Sequence, residues 1–147
     1  MAKVILLDAG PLGMVTHPRA NRDIVAWLKG MLDSGATILV PEIADYEVRR
    51  ELLRANKTTG VERLDKLKQT IGYLPISTQA MLLAAELWAQ ARNEGYPTAD
   101  DKALDADVIL AAQATSLDSI DDDPIIATTN VGHLSRFAQA DEWQNIN

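Results

Sequence analysis

Asp8, Glu47 and Asp107 are the residues with which chemistry can begin. Asp8 ends the apolar run in "KVILLDAGPL" (3–12), Glu47 lies beside the apolar stripe of "EIADYEVRRELLR" (42–54), and Asp107 opens the most apolar helical stretch, "DKALDADVILAAQATS" (101–116). A carboxylate buried without a cation or donors is costly. One purpose that unites three of them is to hold a hard divalent cation, because Mg²⁺ and Mn²⁺ prefer carboxylate and water oxygens. Such an ion orients a water, lowers its pKa and offsets charge on a reacting phosphodiester. Each acid also has a plainer reading. Asp8 can cap the helix that follows, Glu47 can pair with Arg50 on a helix surface, and Asp107 can be a first-turn residue favoured by the helix dipole.

The elements that must position these acids alternate. Val4 to Leu7 read as a strand buried on both faces, followed by a turn at Gly10-Pro11. "DIVAWLKGML" (23–32) has helical spacing and stops at Ser34-Gly35. "ATILVP" (36–41) reads as a strand, and Pro41 suits the first turn of the helix 42–54. "VERLDKLKQTI" (61–71) continues as helix, and "YLPIS" (73–77) is a short extended piece. "TQAMLLAAELWAQARNEG" (78–95) is a long helix with Thr78 as cap and Gly95 as stop. A loop through Pro97 leads to the helix 101–116, then "PIIATTN" (124–130) forms a strand, and "EWQNI" (142–146) reads as a last one. Alternation of this kind predicts an α/β fold: one domain over residues 1–147, an α/β/α sandwich around a mostly parallel sheet.

Composition agrees. A chain of 147 residues suits one core, and its 47% apolar and 24% charged residues are near globular averages. No signal-peptide pattern or membrane-spanning apolar stretch is present, which leads us to expect a cytoplasmic protein. The absence of cysteine excludes disulfides, thiolate metal sites and cysteine nucleophiles.

A net charge of −7 argues against a broad basic surface for nucleic acid. The sign is uneven, however. Seven of the fourteen Lys and Arg fall between 49 and 68, namely Arg49, Arg50, Arg54, Lys57, Arg63, Lys66 and Lys68. This segment reads either as a solvated face with ion pairs such as Asp45 to Arg49 or as a landing site for a polyanion. Acids gather instead in "DSIDDDP" (118–124), a solvated loop. His17 reads as a surface residue, His133 falls within reach of the sheet edge, and Trp27, Trp88 and Trp143 read as core or dimer-contact residues.

Four stretches together resemble PIN domains, particularly the VapC-like toxins of type II toxin-antitoxin pairs. They are "VILLDAGPL" around Asp8, "PEIADYEVRREL" around Glu47, "DADVILAAQA" around Asp107 and "IIATTNVGHL" around Asn130. The resemblance covers almost the whole chain. It implies a PIN-like fold and a Mg²⁺- or Mn²⁺-dependent endoribonuclease with Asp8, Glu47 and Asp107 as metal ligands. It further implies an RNA substrate, a cognate antitoxin and a homodimer, with no membrane partner. Asn130 stands where many members carry Asp, and an amide oxygen binds Mg²⁺ more weakly than a carboxylate. Thr128 and Asp105 are secondary candidates near the same position. The basic residues Arg50 and Arg54, next to the Glu47 helix, are candidates for binding the nucleic acid.

Other functions lack their residues. "GPLG" has the wrong spacing for a dinucleotide-binding G-x-G-x-x-G, and no phosphate-binding G-x-x-x-x-G-K-[ST] occurs. A haloacid-dehalogenase-type phosphoacceptor needs a second Asp where this chain has Gly10, and a receiver domain places its acceptor after a later strand. The remaining alternative is a PIN-like domain that cleaves weakly or not at all and serves as an RNA- or protein-binding module. Asn130 keeps that reading open.

Overall fold

The computed structural model describes residues 3–95, 101–117 and 123–147. Its order is β1 (Val4–Leu7), α1 (Ala9–Val15), α2 (Arg22–Asp33), β2 (Thr37–Pro41), α3 (Glu42–Arg54), α4 (Thr58–Thr70) and β3 (Gly72–Leu74). Then follow α5 (Thr78–Asn93), α6 (Asp101–Thr115), β4 (Ile125–Thr128), α7 (Val131–Leu134) and β5 (Ala140–Glu142). The five strands form one sheet in the order β3-β2-β1-β4-β5, with every pairing parallel. The fold class is therefore the expected one, α/β with helices on both faces.

Alternation along the strands divides the core. Ile5 and Leu7 of β1, with Ile38 and Val40 of β2, face a layer built from α1, α2, α3 and α4. Leu6 and Ile126 face the other way, against Leu110 and Ala114 of α6 and Leu134 of α7. Helix α5 lies outside α6, and Ala80, Ala84 and Ala91 let it approach Leu104, Val108 and Ala112 closely. The two halves of the chain leave the sheet in opposite directions from β1 and β4. Open α/β sheets form a ligand crevice at such a switch point, beyond the carboxyl ends of the strands.

Several local expectations change. Gly10-Pro11 is not a separate turn: α1 begins directly at Ala9, with Pro11 in its first turn, where its missing N–H leaves no bond unmade. The cap of α5 is Ser77 rather than Thr78, and its hydroxyl accepts from the Ala80 N–H at 3.0 Å. Gly95, with φ +69°, does end the segment. The last strand is Ala140–Glu142, and most of "EWQNI" is a 3₁₀ turn over Trp143–Asn145. Trp143 and Ile146 are both buried, and a spacing of three puts them on one side of such a turn but on opposite faces of a strand. The short α7 was not foreseen. The loop through Pro97 and most of the acidic stretch 118–124 lie outside the described residues.

Candidate active site

Asp8 is fixed where β1 stops. Its N–H extends the sheet by donating to the Ala127 carbonyl at 2.9 Å, and its Oδ1 accepts from the Ala9 N–H at 2.7 Å. Its Oδ2 accepts from the Thr128 hydroxyl at 2.7 Å, and Thr128 in turn accepts from the Asn130 N–H at 2.9 Å. Thr128 is fully buried. Asp8 thus is a helix cap, as its plainer reading held, and also the carboxylate at the switch point. Gly10 permits this approach of α1 to the end of β4, since a Cβ there would lie 2.7 Å from Thr129 Oγ1.

Glu47 and Asp107 face the same edge from two other elements. Burial, the Asp8 charge and the Asp107 charge push the Glu47 carboxyl up to about 7, against a weaker opposing pull from Arg50. Burial and the Asp8 charge push Asp107 up to about 6. Asp8 is also raised, mainly by burial, despite its two donors. The charge of Asp8 thus reaches both other acids, and that of Asp107 reaches Glu47, so the three stand within electrostatic reach at one edge. Of the plainer readings of the other two acids, that of Glu47 survives in part, since the Arg50 charge still favours its ionised form, and that of Asp107 does not. Arg50 lies over the Tyr46 ring, 5.1 Å from its centroid, rather than in an ion pair with Glu47. Asp107 is the seventh residue of α6, beyond the first turn whose free N–H groups favour an acid.

Two elements are tied together behind the acids. Gln113 of α6, itself buried, donates from Nε2 to the Leu74 carbonyl at 2.9 Å and accepts at Oε1 from the Ile43 N–H at 3.4 Å. This joins the start of the Glu47 helix to the Asp107 helix. His133 Nδ1 stands 3.8 Å from Asp107 Oδ2. The Asn130 side chain is exposed and makes no capping bond to α7. Asp105 is not brought to the acids. Two residues on a helix are about 200° apart, and Asp105 is exposed in a different groove, with Met81, Ala84 and Trp88.

A groove of about 520 Å³ runs from Glu47 along α3, lined by Gly10, Gly13, His17, Arg50, Arg54 and Lys57 among others. Both candidate nucleic-acid residues, Arg50 and Arg54, therefore border Glu47. His17 joins them, which no local signal in the sequence announced, because only the docking of α1 on α3 brings the residues after α1 to this groove.

Among the described residues, no three His, Asp or Glu side chains stand close enough to hold a metal ion by themselves. The donor chemistry nonetheless fits Mg²⁺ or Mn²⁺. The acids are hard oxygen donors, and Mg²⁺ commonly keeps several waters and takes only one or two carboxylates.

An open parallel sheet in this order, with helices on both faces, is the PIN-like α/β architecture. Solved structures have the same fold. A chain of VapBC-1 from nontypeable Haemophilus influenzae is 16% identical, with a TM-score of 0.71 over 97% of this chain and 99% of that one. A chain of VapBC2 from Rickettsia felis, solved bound to a DNA fragment from their promoter, is 16% identical, with a TM-score of 0.68 over 95% and 98%. A chain of FitAcB from Neisseria gonorrhoeae is 23% identical, with a TM-score of 0.67 over 97% and 99%. The chain is thus VapC-like and PIN-like in fold. No protein-family model and no curated protein matches the sequence.

Proposed function

We propose that this protein is a Mg²⁺- or Mn²⁺-dependent endoribonuclease, the toxin of a toxin-antitoxin pair. The observation that carries this reading is the convergence of Asp8, Glu47 and Asp107, from β1, α3 and α6, on one sheet edge where each raises or is raised by another. Asp8, Asp107 and Glu47 would hold the ion between them, directly or through its bound waters, and the ion when bound would activate water and offset charge on the RNA phosphate. The chain's own part is orientation. The Ala9 N–H and the Thr128 hydroxyl fix both oxygens of Asp8 while leaving about half of its acceptor capacity for a ligand. Gln113 holds α3 and α6 in register, and Arg50 and Arg54 offer the RNA backbone positive charge next to Glu47.

The partner in this reading is a cognate antitoxin that lays a segment across the same groove and blocks RNA entry. The likeness in fold to chains of VapBC-1 and VapBC2 supports this partner. The protein works as a homodimer in the cytoplasm; no helix among the described residues is long and apolar enough to cross a membrane.

The test is cleavage of mixed RNA by the purified protein across a Mg²⁺ and Mn²⁺ titration, with Asp8→Asn as control. Ion-dependent cleavage that Asp8→Asn abolishes supports the reading, and wild-type cleavage by Asp8→Asn overturns it. Asn130 supports a second reading, a binding module that cleaves weakly or not at all, because an amide stands where a carboxylate would strengthen an oxygen site. Asn130→Asp separates the two. It is expected to lower the ion concentration for half-maximal cleavage in a nuclease, whereas in a binding module neither protein cleaves at any ion concentration.

A further inference from the structure

Tyr46 is 57% exposed on α3, one residue before Glu47. Its exposure alone is ordinary, but its position is not. Arg50, one turn further on, lines the groove that starts at Glu47 and at the same time lies over the Tyr46 ring, 5.1 Å from the centroid. A guanidinium that lines the groove and an exposed aromatic ring beside it therefore stand in contact, although Tyr46 does not itself line the groove. Successive bases of a single strand bind to surfaces of this kind, with the face of each base on an aromatic or guanidinium plane and the backbone on basic residues. The cations fit that arrangement. Arg54 is partly neutralised by Glu51, at 2.8 Å, whereas Lys57 in the same groove has no carboxylate partner among the described residues.

We infer that Tyr46 and Arg50 form a base-stacking platform that seats an unpaired base of the RNA beside the Glu47 edge. The inference rests on the nuclease reading and assigns Tyr46 a substrate-positioning role within it. A duplex does not satisfy the platform, because its bases are already stacked and its deep groove hides their faces.

The experiment measures binding of a fluorescein-labelled single-stranded RNA of about ten nucleotides, in an Asp8→Asn background so that the probe stays intact. Tyr46→Leu keeps an apolar, helix-compatible side chain but removes the ring, and Tyr46→Trp enlarges the ring. We expect Tyr46→Leu to weaken binding roughly ten-fold and Tyr46→Trp to retain it, with a duplex of the same sequence bound more weakly than the single strand by the unsubstituted platform. Scanning one abasic position along the probe then locates the contact, since the Tyr46→Leu loss should vanish at one position and persist at the others. Equal binding by the Tyr46→Leu protein, or a loss that no abasic position removes, overturns the platform and leaves the nuclease reading standing. If no single-stranded RNA binds even with Tyr46 in place, both fall. A Tyr46→Leu protein that binds RNA normally but changes oligomeric state assigns the residue to a protein contact instead.

Discussion

Asp45 and Glu47 are two residues apart on the same helix, and their surroundings are opposite. Asp45 is buried between two cations, with Arg49 at 2.9 Å on one oxygen and Lys68 at 3.1 Å on the other, and Arg49 reaches on to Asp65 at 2.7 Å. Lys68 also lies 4.2 Å from the centre of the Tyr73 ring, so the group locks α3 against α4 and the middle of β3. Glu47 has no ion pair among the described residues, and burial, with the charges of Asp8 and Asp107 outweighing that of Arg50, pushes it up to about 7. A buried charge that serves the fold is matched, whereas one left among like charges at a crevice is held for a ligand. On this difference we propose Asp45 as a structural acid and Glu47 as a functional one.

The sharpest way to break the comparison is substitution of Asp8. Asp8→Asn is expected to reduce cleavage by more than the roughly hundred-fold that loss of an outer metal partner produces. Its metal-free thermal midpoint should be unchanged or higher, because one of several repelling charges is gone while the cap acceptor remains. A protein that unfolds more easily would make Asp8 a structural acid like Asp45. The converse substitution, Asp45→Ala, strands Arg49 and Lys68. Both cations are partly exposed, so the expected loss is about 1–3 kcal/mol by urea denaturation, and unchanged stability would show that the clamp carries no weight.

A smaller effect concerns pH. Glu47 and Asp107 hold protons more tightly folded, at about 7 and about 6, than their ordinary values of 4.5 and 3.8. Their contribution is therefore fully present below about pH 4 and is lost as pH rises through 6 to 7. Metal-free protein should accordingly lose stability from these groups as pH climbs through that window. Glu47→Gln should recover about 1 kcal/mol or less at the alkaline end, given the partial exposure of Glu47, and nothing at the acid end. An effect of equal size at both ends would contradict the like-charge cluster. Added Mn²⁺ should flatten the profile.

The smallest expected effect distinguishes two arginines. Arg50→Ala should lower the salt slope of single-stranded RNA binding by about 0.7, as for one phosphate contact. Arg54→Ala should lower it less, because Glu51 already holds that guanidinium. Equal slopes for both variants and wild type would take the groove out of the RNA path.

The sequence by itself determined the alternation of elements and the ends of the most periodic ones. Helix 42–54 has the bounds its apolar stripe gave it, because a buried stripe over three turns and a proline at its start leave little freedom. It also singled out Asp8, Glu47 and Asp107, since an acid set against an apolar run is locally conspicuous. Short elements were less legible. Both α7 and the closing 3₁₀ turn take their conformation from burying Leu134, Trp143 and Ile146 rather than from propensity. Only the tertiary structure decided which groups meet. Thr128 reaches Asp8 because β4 lies beside β1, although the two residues are 120 positions apart, and Asp105 turns away although it is a neighbour of Asp107. The same holds for the two acids of α3. Their spacing is visible in the chain, but whether each finds a cation or another carboxylate depends on elements that arrive through the parallel sheet, and a local pattern carries no record of such contacts.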